Sequence, residues 1–151
     1  MTQSRLIKNA QQVLKRHEQR HALALAACER QVRDNETKLA ELERYREVYR
    51  RDFSVRAQEG MNGSQALTYQ NFIARVALAV DEQHALLQRV REQYTDELHK
   101  WRSAARRTAA LDRIVARGER AALQHAERSE QAVADAHAQR LWTLKGNRRG
   151  N

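Results

Sequence analysis

Two long stretches of the chain repeat apolar residues at alternating spacings of three and four. In the first stretch the repeat consists of Leu25, Val32, Leu39 and Phe53 interleaved with Ile7, Leu14, Cys28, Leu42 and Tyr49. In the second stretch it runs through Ile73, Val76, Val80, Gln83, Leu87, Val90, Tyr94, Glu97, Trp101, Ala104, Thr108, Leu111 and Val115. This spacing keeps residues on one side of a helix, so it predicts two long helices, each with a seam for another helix.

The first seam is imperfect. Polar residues occupy some of its positions, namely Glu18, His21, Asn35 and Arg46. We expect a seam of this kind to pair locally with the second helix or to need a further partner.

The two stretches are separated by Glu59-Gly-Met-Asn-Gly-Ser64, which holds two of the five glycines of a chain without proline. A turn at 59–65 would join a helix of about 2–58 to one of about 66–143, in an antiparallel pair. Residues after about 122 would then extend beyond the first helix. The sequence predicts an all-α fold: one domain, 1–151, forming a long antiparallel two-helix coiled-coil hairpin with a projecting C-terminal helix and a flexible basic tail at 145–151.

Composition supports a coiled coil rather than a layered globule, because aromatic residues are 5% and charged residues 31% of the chain. The formal net charge of +9 makes nucleic acid, anionic lipid and acidic proteins candidate partners. A single cysteine suits a reducing compartment. No signal-like apolar region follows Met1, and the longest apolar run, 22–28, is too short to span a bilayer, so we expect a cytoplasmic protein.

Few residues suggest catalysis. His17-Glu-Gln-Arg-His21 fits the H-E-x-x-H zinc pattern, but Lys15, Arg16 and Arg20 oppose a cation and a two-helix hairpin offers no cleft. Cys28 lies on the seam, where a buried thiol is expected rather than a nucleophile. We therefore expect no enzyme activity, no bound metal and no cofactor.

Paired arginines could contact phosphates. They occur at 50–51, 106–107 and 148–149. Glutamates and aspartates interleave with the first pair, which favours a soluble helix surface over a nucleic-acid stripe.

One cluster combines aromatic and apolar residues from both predicted helices. Its members, called here the patch, are Leu42, Tyr45, Tyr49, Phe72, Val76, Ala79 and Gln83. The hairpin register would bring the two sets together. The patch could be the best-packed part of the seam, or, because Tyr45 and Phe72 lie one step off the seam, an exposed surface that needs a partner.

Several segments resemble the FliJ family of flagellar export proteins. They are Leu39–Tyr49, Tyr69–Val76 with Asp81-Glu-Gln83, Trp101, and Arg128-Ser-Glu-Gln131 through Asp135. The resemblance implies a cytoplasmic coiled coil of the flagellar type III export apparatus, peripherally associated with the membrane and similar to the stalk of rotary ATPases. The expected partners are the hexameric export ATPase, whose channel the terminal ends would enter, the membrane export gate and export chaperones.

The resemblance also implies that the patch is the gate-binding surface. Two other classes stay open on the residues alone: a basic coiled coil that binds nucleic acid, and a generic scaffold that self-associates through its open seam.

Overall fold

A computed structural model describes residues 2–150, and in that range the chain forms two α-helices and no strand. Helix α1 spans Thr2–Glu59 and helix α2 spans Gly63–Arg149. The helices pack against each other in antiparallel order. The prediction of an all-α antiparallel hairpin is confirmed, whereas the division into a single domain stays a prediction. The ends of the predicted domain, Met1 and Asn151, lie outside the described residues.

The turn between the helices is shorter than the predicted 59–65. Gly60 ends α1 with a φ of +100°, a left-handed conformation that suits glycine at a helix C-terminus. Asn62 then caps α2, since its Oδ1 accepts a hydrogen bond from the Gln65 backbone N–H at 2.8 Å. Gly63 is therefore the first residue of α2 rather than part of the turn.

Residues 15–105 form one compact unit that contains the turn and the main apolar core. The core consists of Leu39 from α1 and Val80, Leu87 and Val90 from α2, with Val32, Leu42 and Val76 packed against it. All of these residues occupy predicted seam positions, so the three-and-four spacing identifies the buried side of both helices in this unit.

Polar residues within the seam of this unit face one another across the helices. The Gln83 side-chain amide donates to Asn35 Oδ1 at 2.8 Å, and His21 Nδ1 lies 3.6 Å from Glu97 Oε2. The predicted interruptions of the first seam at His21 and Asn35 thus coincide with polar positions of the second. The Gln83 amide is hydrogen-bonded in this way, whereas Glu97 Oε2 is buried with no hydrogen-bond partner among the described residues.

The described residues 2–14 and 106–150 form a second compact unit. Thr108 is buried, and its hydroxyl donates to the Leu14 carbonyl at 3.4 Å. Gln11 Nε2 also donates to Asp112 Oδ1 at 3.0 Å. Every described residue from Arg117 onward is exposed.

Helix α2 also extends further than the predicted end at 143, because residues 145–149 are helical. No proline interrupts this region, and Arg148 and Arg149 occupy the last turn, where positive charge interacts favourably with the helix dipole. The residue after Gly150 lies outside the described range.

Candidate partner-binding surface

Three aromatic rings form a row that crosses from α1 to α2. Tyr45 and Tyr49 stack with ring centroids 5.7 Å apart and planes at 29°. Tyr49 in turn contacts Phe72 on α2 with a centroid distance of 4.4 Å. The structure therefore brings together the aromatic members of the patch, as the hairpin register predicts.

The patch is partly packed and partly open. Leu42 and Val76 pack against the apolar core, and Gln83 is held by its hydrogen bonds to Asn35. Tyr45, by contrast, is 58% exposed and Phe72 is 37% exposed. Both sequence interpretations of the patch therefore describe part of it: some members belong to the seam, and two large rings face solvent beside it.

An open groove with a volume of about 860 Å³ runs beside these rings. Its lining includes Leu42, Tyr45, Val48 and Tyr49 from α1 and Gln83 from α2. Val48 is 61% exposed and was missed by sequence reasoning, although it follows Tyr45 by three residues and so shares its face. The groove extends the exposed part of the patch along α1.

On the side of α2 that carries Phe72, a row of residues directly precedes successive seam positions. Phe72, Ala79 and Leu86 recur at a spacing of seven residues, directly before Ile73, Val80 and Leu87. Leu86 is 37% exposed and was also missed by sequence reasoning; the seven-residue repeat was the available signal. We call Tyr45, Phe72, Ala79 and Leu86 the aromatic flank.

Several residues that directly follow seam positions are polar or charged and contact one another across the two helices. Arg91 Nη2 lies 3.3 Å from Glu36 Oε1, and His84 Nε2 lies 3.4 Å from Glu43 Oε1. These residues form the polar flank, which is Glu36, Glu43, His84 and Arg91. The groove side of the seam is mixed, because Lys38, Glu41, Arg44 and Asp52 line the groove together with Tyr45 and Val48.

A polar cluster lies toward the turn from the aromatic row. The Tyr69 hydroxyl donates to Asp52 Oδ2 at 2.8 Å, and Arg56 Nε lies 3.4 Å from Asp52 Oδ1. The hydrogen bond to the Asp52 carboxylate, aided by desolvation, raises the pKa of Tyr69 above its ordinary value. Phe53 packs on the Tyr69 ring at a centroid distance of 6.0 Å.

The remaining candidate residues from the sequence make contacts that are common on a helix surface or in a seam. The rings of His17 and His21 meet edge to face at 5.2 Å, and His21 also contacts Glu97. Among the residues that the structure describes, no group of three or more potential metal-binding side chains converges. Cys28 is a half-buried free thiol on the seam, and Arg51 pairs with Glu47 on its own helix.

Neither helix, within the range 2–150, contains a stretch that is long and apolar enough to cross a lipid bilayer.

These features define a class: two-helix coiled coils with exposed aromatic side chains beside the seam. The family model described as "Flagellar FliJ protein" matches residues 4–147 of the chain. The chain belongs to the FliJ family and is thus a component of flagellar protein export. A search of the curated proteins and a search of the solved structures each found no match.

Proposed function

We propose that the chain is a non-catalytic stalk component that couples the hexameric export ATPase to the membrane export gate. The observation that carries this proposal is the family match over residues 4–147, on a chain whose described part is a two-helix hairpin. A coiled coil transmits force or orientation if separate segments of it bind separate partners. Two such segments are available in different parts of this chain.

The first segment is the patch, which we assign to the export gate. Tyr45 is 58% and Phe72 37% exposed, and the groove beside Tyr45 is lined by apolar residues such as Leu42 and Val48 together with charged ones. Large aromatic rings on a protein surface are typical anchors for a protein partner. The proposed surface also includes Leu42, Tyr49, Val76, Ala79 and Gln83, of which Tyr49 contacts both rings.

The second segment is the end of α2, which we assign to the channel of the ATPase ring. All side chains between Arg117 and Gly150 are exposed, including Leu141 at 50%, Trp142 at 79% and Leu144 at 63%. Within the same segment the chain carries no acidic residue after Asp135 but several basic ones. A positively charged helix with open apolar residues is suited to an acidic protein wall.

We further propose that the protein works at the cytoplasmic side of the membrane, associated with it through the gate, and that it escorts export chaperones. No particular residues are assigned to the chaperone role.

A bridging experiment tests the proposal. Membrane vesicles that contain the cognate export gate protein are sedimented with the export ATPase, with and without this chain. We expect ATPase in the pellet only when the chain is present, and less of it when Tyr45 and Phe72 are both changed to alanine. ATPase that sediments equally without the chain would contradict coupling.

A further inference from the structure

We propose that, in the free protein, the exposed end of α2 pairs with the same segment of a second copy of this chain, in antiparallel order. The segment is residues 127–148, called here the terminal segment. This inference goes beyond the proposed function and does not rest on it, because it concerns the chain in the absence of the gate and the ATPase.

The terminal segment lies open along its whole length. Every described residue from Arg117 onward is exposed, and Leu141 and Leu144 are 50% and 63% exposed. In proteins, most of the stability of a helix comes from the packing of one face rather than from helix propensity. A helix of this length with leucines in solvent therefore offers a face to another helix.

One face of the terminal segment has the spacing of a coiled-coil seam. Its residues follow one another at alternating distances of three and four, which keeps them on one side of a helix. In chain order they are Glu127, Glu130, Ala134, His137, Leu141 and Leu144, followed by Arg148.

The charges on this face are separated along the helix. Glu127 and Glu130 lie at its start, and Lys145 and Arg148 lie at its end. Two copies paired in parallel would bring like charges together. Two copies in antiparallel order bring the acidic start of each copy to the basic end of the other, so the order of charges makes the face complementary to itself.

The angular positions of the four charges fit this arrangement. Lys145 follows Glu127, and Arg148 follows Glu130, by 18 residues, which is five turns at about 3.6 residues per turn. The two members of each pair therefore point in the same direction from the helix axis. A two-fold axis between antiparallel helices places such residues on the same side, so each pair forms twice across the interface.

The net charge of the chain does not prevent this pairing. Each copy carries a formal charge of +9, which causes repulsion between distant parts of two copies. Repulsion over more than about 10 Å is largely screened at moderate salt, whereas charges that face each other across the seam interact at contact distance.

The pairing has a consequence for the proposed function. The terminal segment belongs to the end of α2 that we assign to the channel of the ATPase ring. A second copy and the ring therefore compete for it, and two paired chains must separate before either enters the ring.

The test is analytical ultracentrifugation of the full-length chain alone, at moderate salt and over a range of concentrations. A reductant prevents a disulfide between the Cys28 thiols of two copies. In one variant Glu127→Lys is combined with Glu130→Lys. A second variant adds Lys145→Glu and Arg148→Glu, so that the order of the charges is reversed but complementary again. Circular dichroism verifies that each variant keeps its helix content.

The matched control combines Glu92→Lys with Asp96→Lys. Both residues are exposed on α2 outside the terminal segment, and the control changes the net charge by the same amount as the first variant. A further variant combines Tyr45→Ala with Phe72→Ala, which removes the aromatic rings of the patch.

We expect a dimer that forms with increasing concentration. The first charge variant should weaken it by about tenfold or more, because four attractive pairs become repulsive. The variant with all four charges exchanged should restore it to within about threefold of the unchanged chain. The control and the patch variant should dimerise like the unchanged chain.

Three results would overturn the inference. They are a chain that stays monomeric up to about 1 mM, a dimer that the first charge variant does not weaken, and a failure of the four-charge variant to restore it. A dimer that is lost with the rings of Tyr45 and Phe72 would place the contact at the patch instead. None of these results depends on the gate or the ATPase, so the proposed function stands or falls separately.

Discussion

Gln83 on α2 donates its side-chain amide to Asn35 Oδ1 on α1 at 2.8 Å, and it also lies 3.3 Å from the Asn35 carbonyl oxygen. Both residues are polar positions in mostly apolar seams. A polar residue in a coiled-coil seam makes its hydrogen bond only when the two helices pair with its partner opposite it. It therefore favours that register of the two helices, at some cost in stability. This pair therefore helps to place the patch residues of the two helices side by side.

Asn35→Leu should destabilise the hairpin, because it leaves the Gln83 amide beside an apolar side chain. The free energy of unfolding should fall by about 1–3 kcal/mol in urea unfolding followed by circular dichroism. Asn35→Leu combined with Gln83→Leu should recover that loss. Gln88→Leu, at an exposed position of α2, is the control. An Asn35→Leu chain as stable as the unchanged one would show that the pair contributes nothing.

Tyr69→Phe should lower stability near neutral pH, with the deficit disappearing at alkaline pH. The Tyr69 pKa is raised because its hydroxyl donates to Asp52, so the folded state favours the protonated phenol. That contribution is complete below the unfolded pKa of about 10 and is lost as pH rises through the higher folded pKa.

Urea unfolding of both chains between neutral pH and the alkaline range measures this difference. Tyr94→Phe, on the same helix, controls for the removal of one tyrosine. A stability difference between the Tyr69→Phe chain and the unchanged chain that is independent of pH would contradict the assignment.

Removing residues 122–151 should leave the hairpin folded. Every described side chain in this segment is exposed, so the free energy of unfolding should change by less than about 1 kcal/mol. Thermal unfolding followed by circular dichroism tests this. Leu87→Ala serves as a positive control, since Leu87 is 3% exposed and its truncation should cost about 2–5 kcal/mol. A cooperative loss of helix throughout the shortened chain would mean that the segment stabilises the rest.

Tyr45→Ala combined with Phe72→Ala should weaken binding to the export gate by about tenfold or more, while helix content stays unchanged. The reason is that Tyr45 is 58% and Phe72 37% exposed and neither belongs to the buried core, so both rings offer surface to a partner. Binding to gate protein in nanodiscs and far-ultraviolet circular dichroism give the two values. Leu78→Ala is the matched apolar control. A large loss of helicity would show that the rings belong to the core.

Much of the seam could be predicted from the sequence. Leu39, Val80 and Leu87 occupy positions three and four residues from their apolar neighbours, and they are buried because that spacing follows directly from helix geometry. The polar residues that interrupt the seams were also visible in the sequence. Their pairing was not predicted, because whether Asn35 meets Gln83 or another residue depends on the register of two chain segments that are far apart in sequence.

The helix ends and the edges of the patch were less predictable. Gly60 and Gly63 look alike in the sequence, yet only Gly60 adopts a positive φ, since Asn62 already begins the capping of α2. Val48 and Leu86 were missed because they lie beside the seam rather than on it. Their exposure became visible once both helices were placed together.

The most direct test of the stalk proposal is ATP hydrolysis by the cognate export ATPase, measured at moderate salt over a range of ATPase concentrations. The full-length chain and a chain that ends at residue 121 are compared, each verified to be helical. We expect the full-length chain to stimulate hydrolysis most where the ring is poorly assembled, and the shortened chain to have no effect. Equal stimulation by both chains, or none by the full-length chain, would contradict the proposal that the end of α2 enters the ATPase ring.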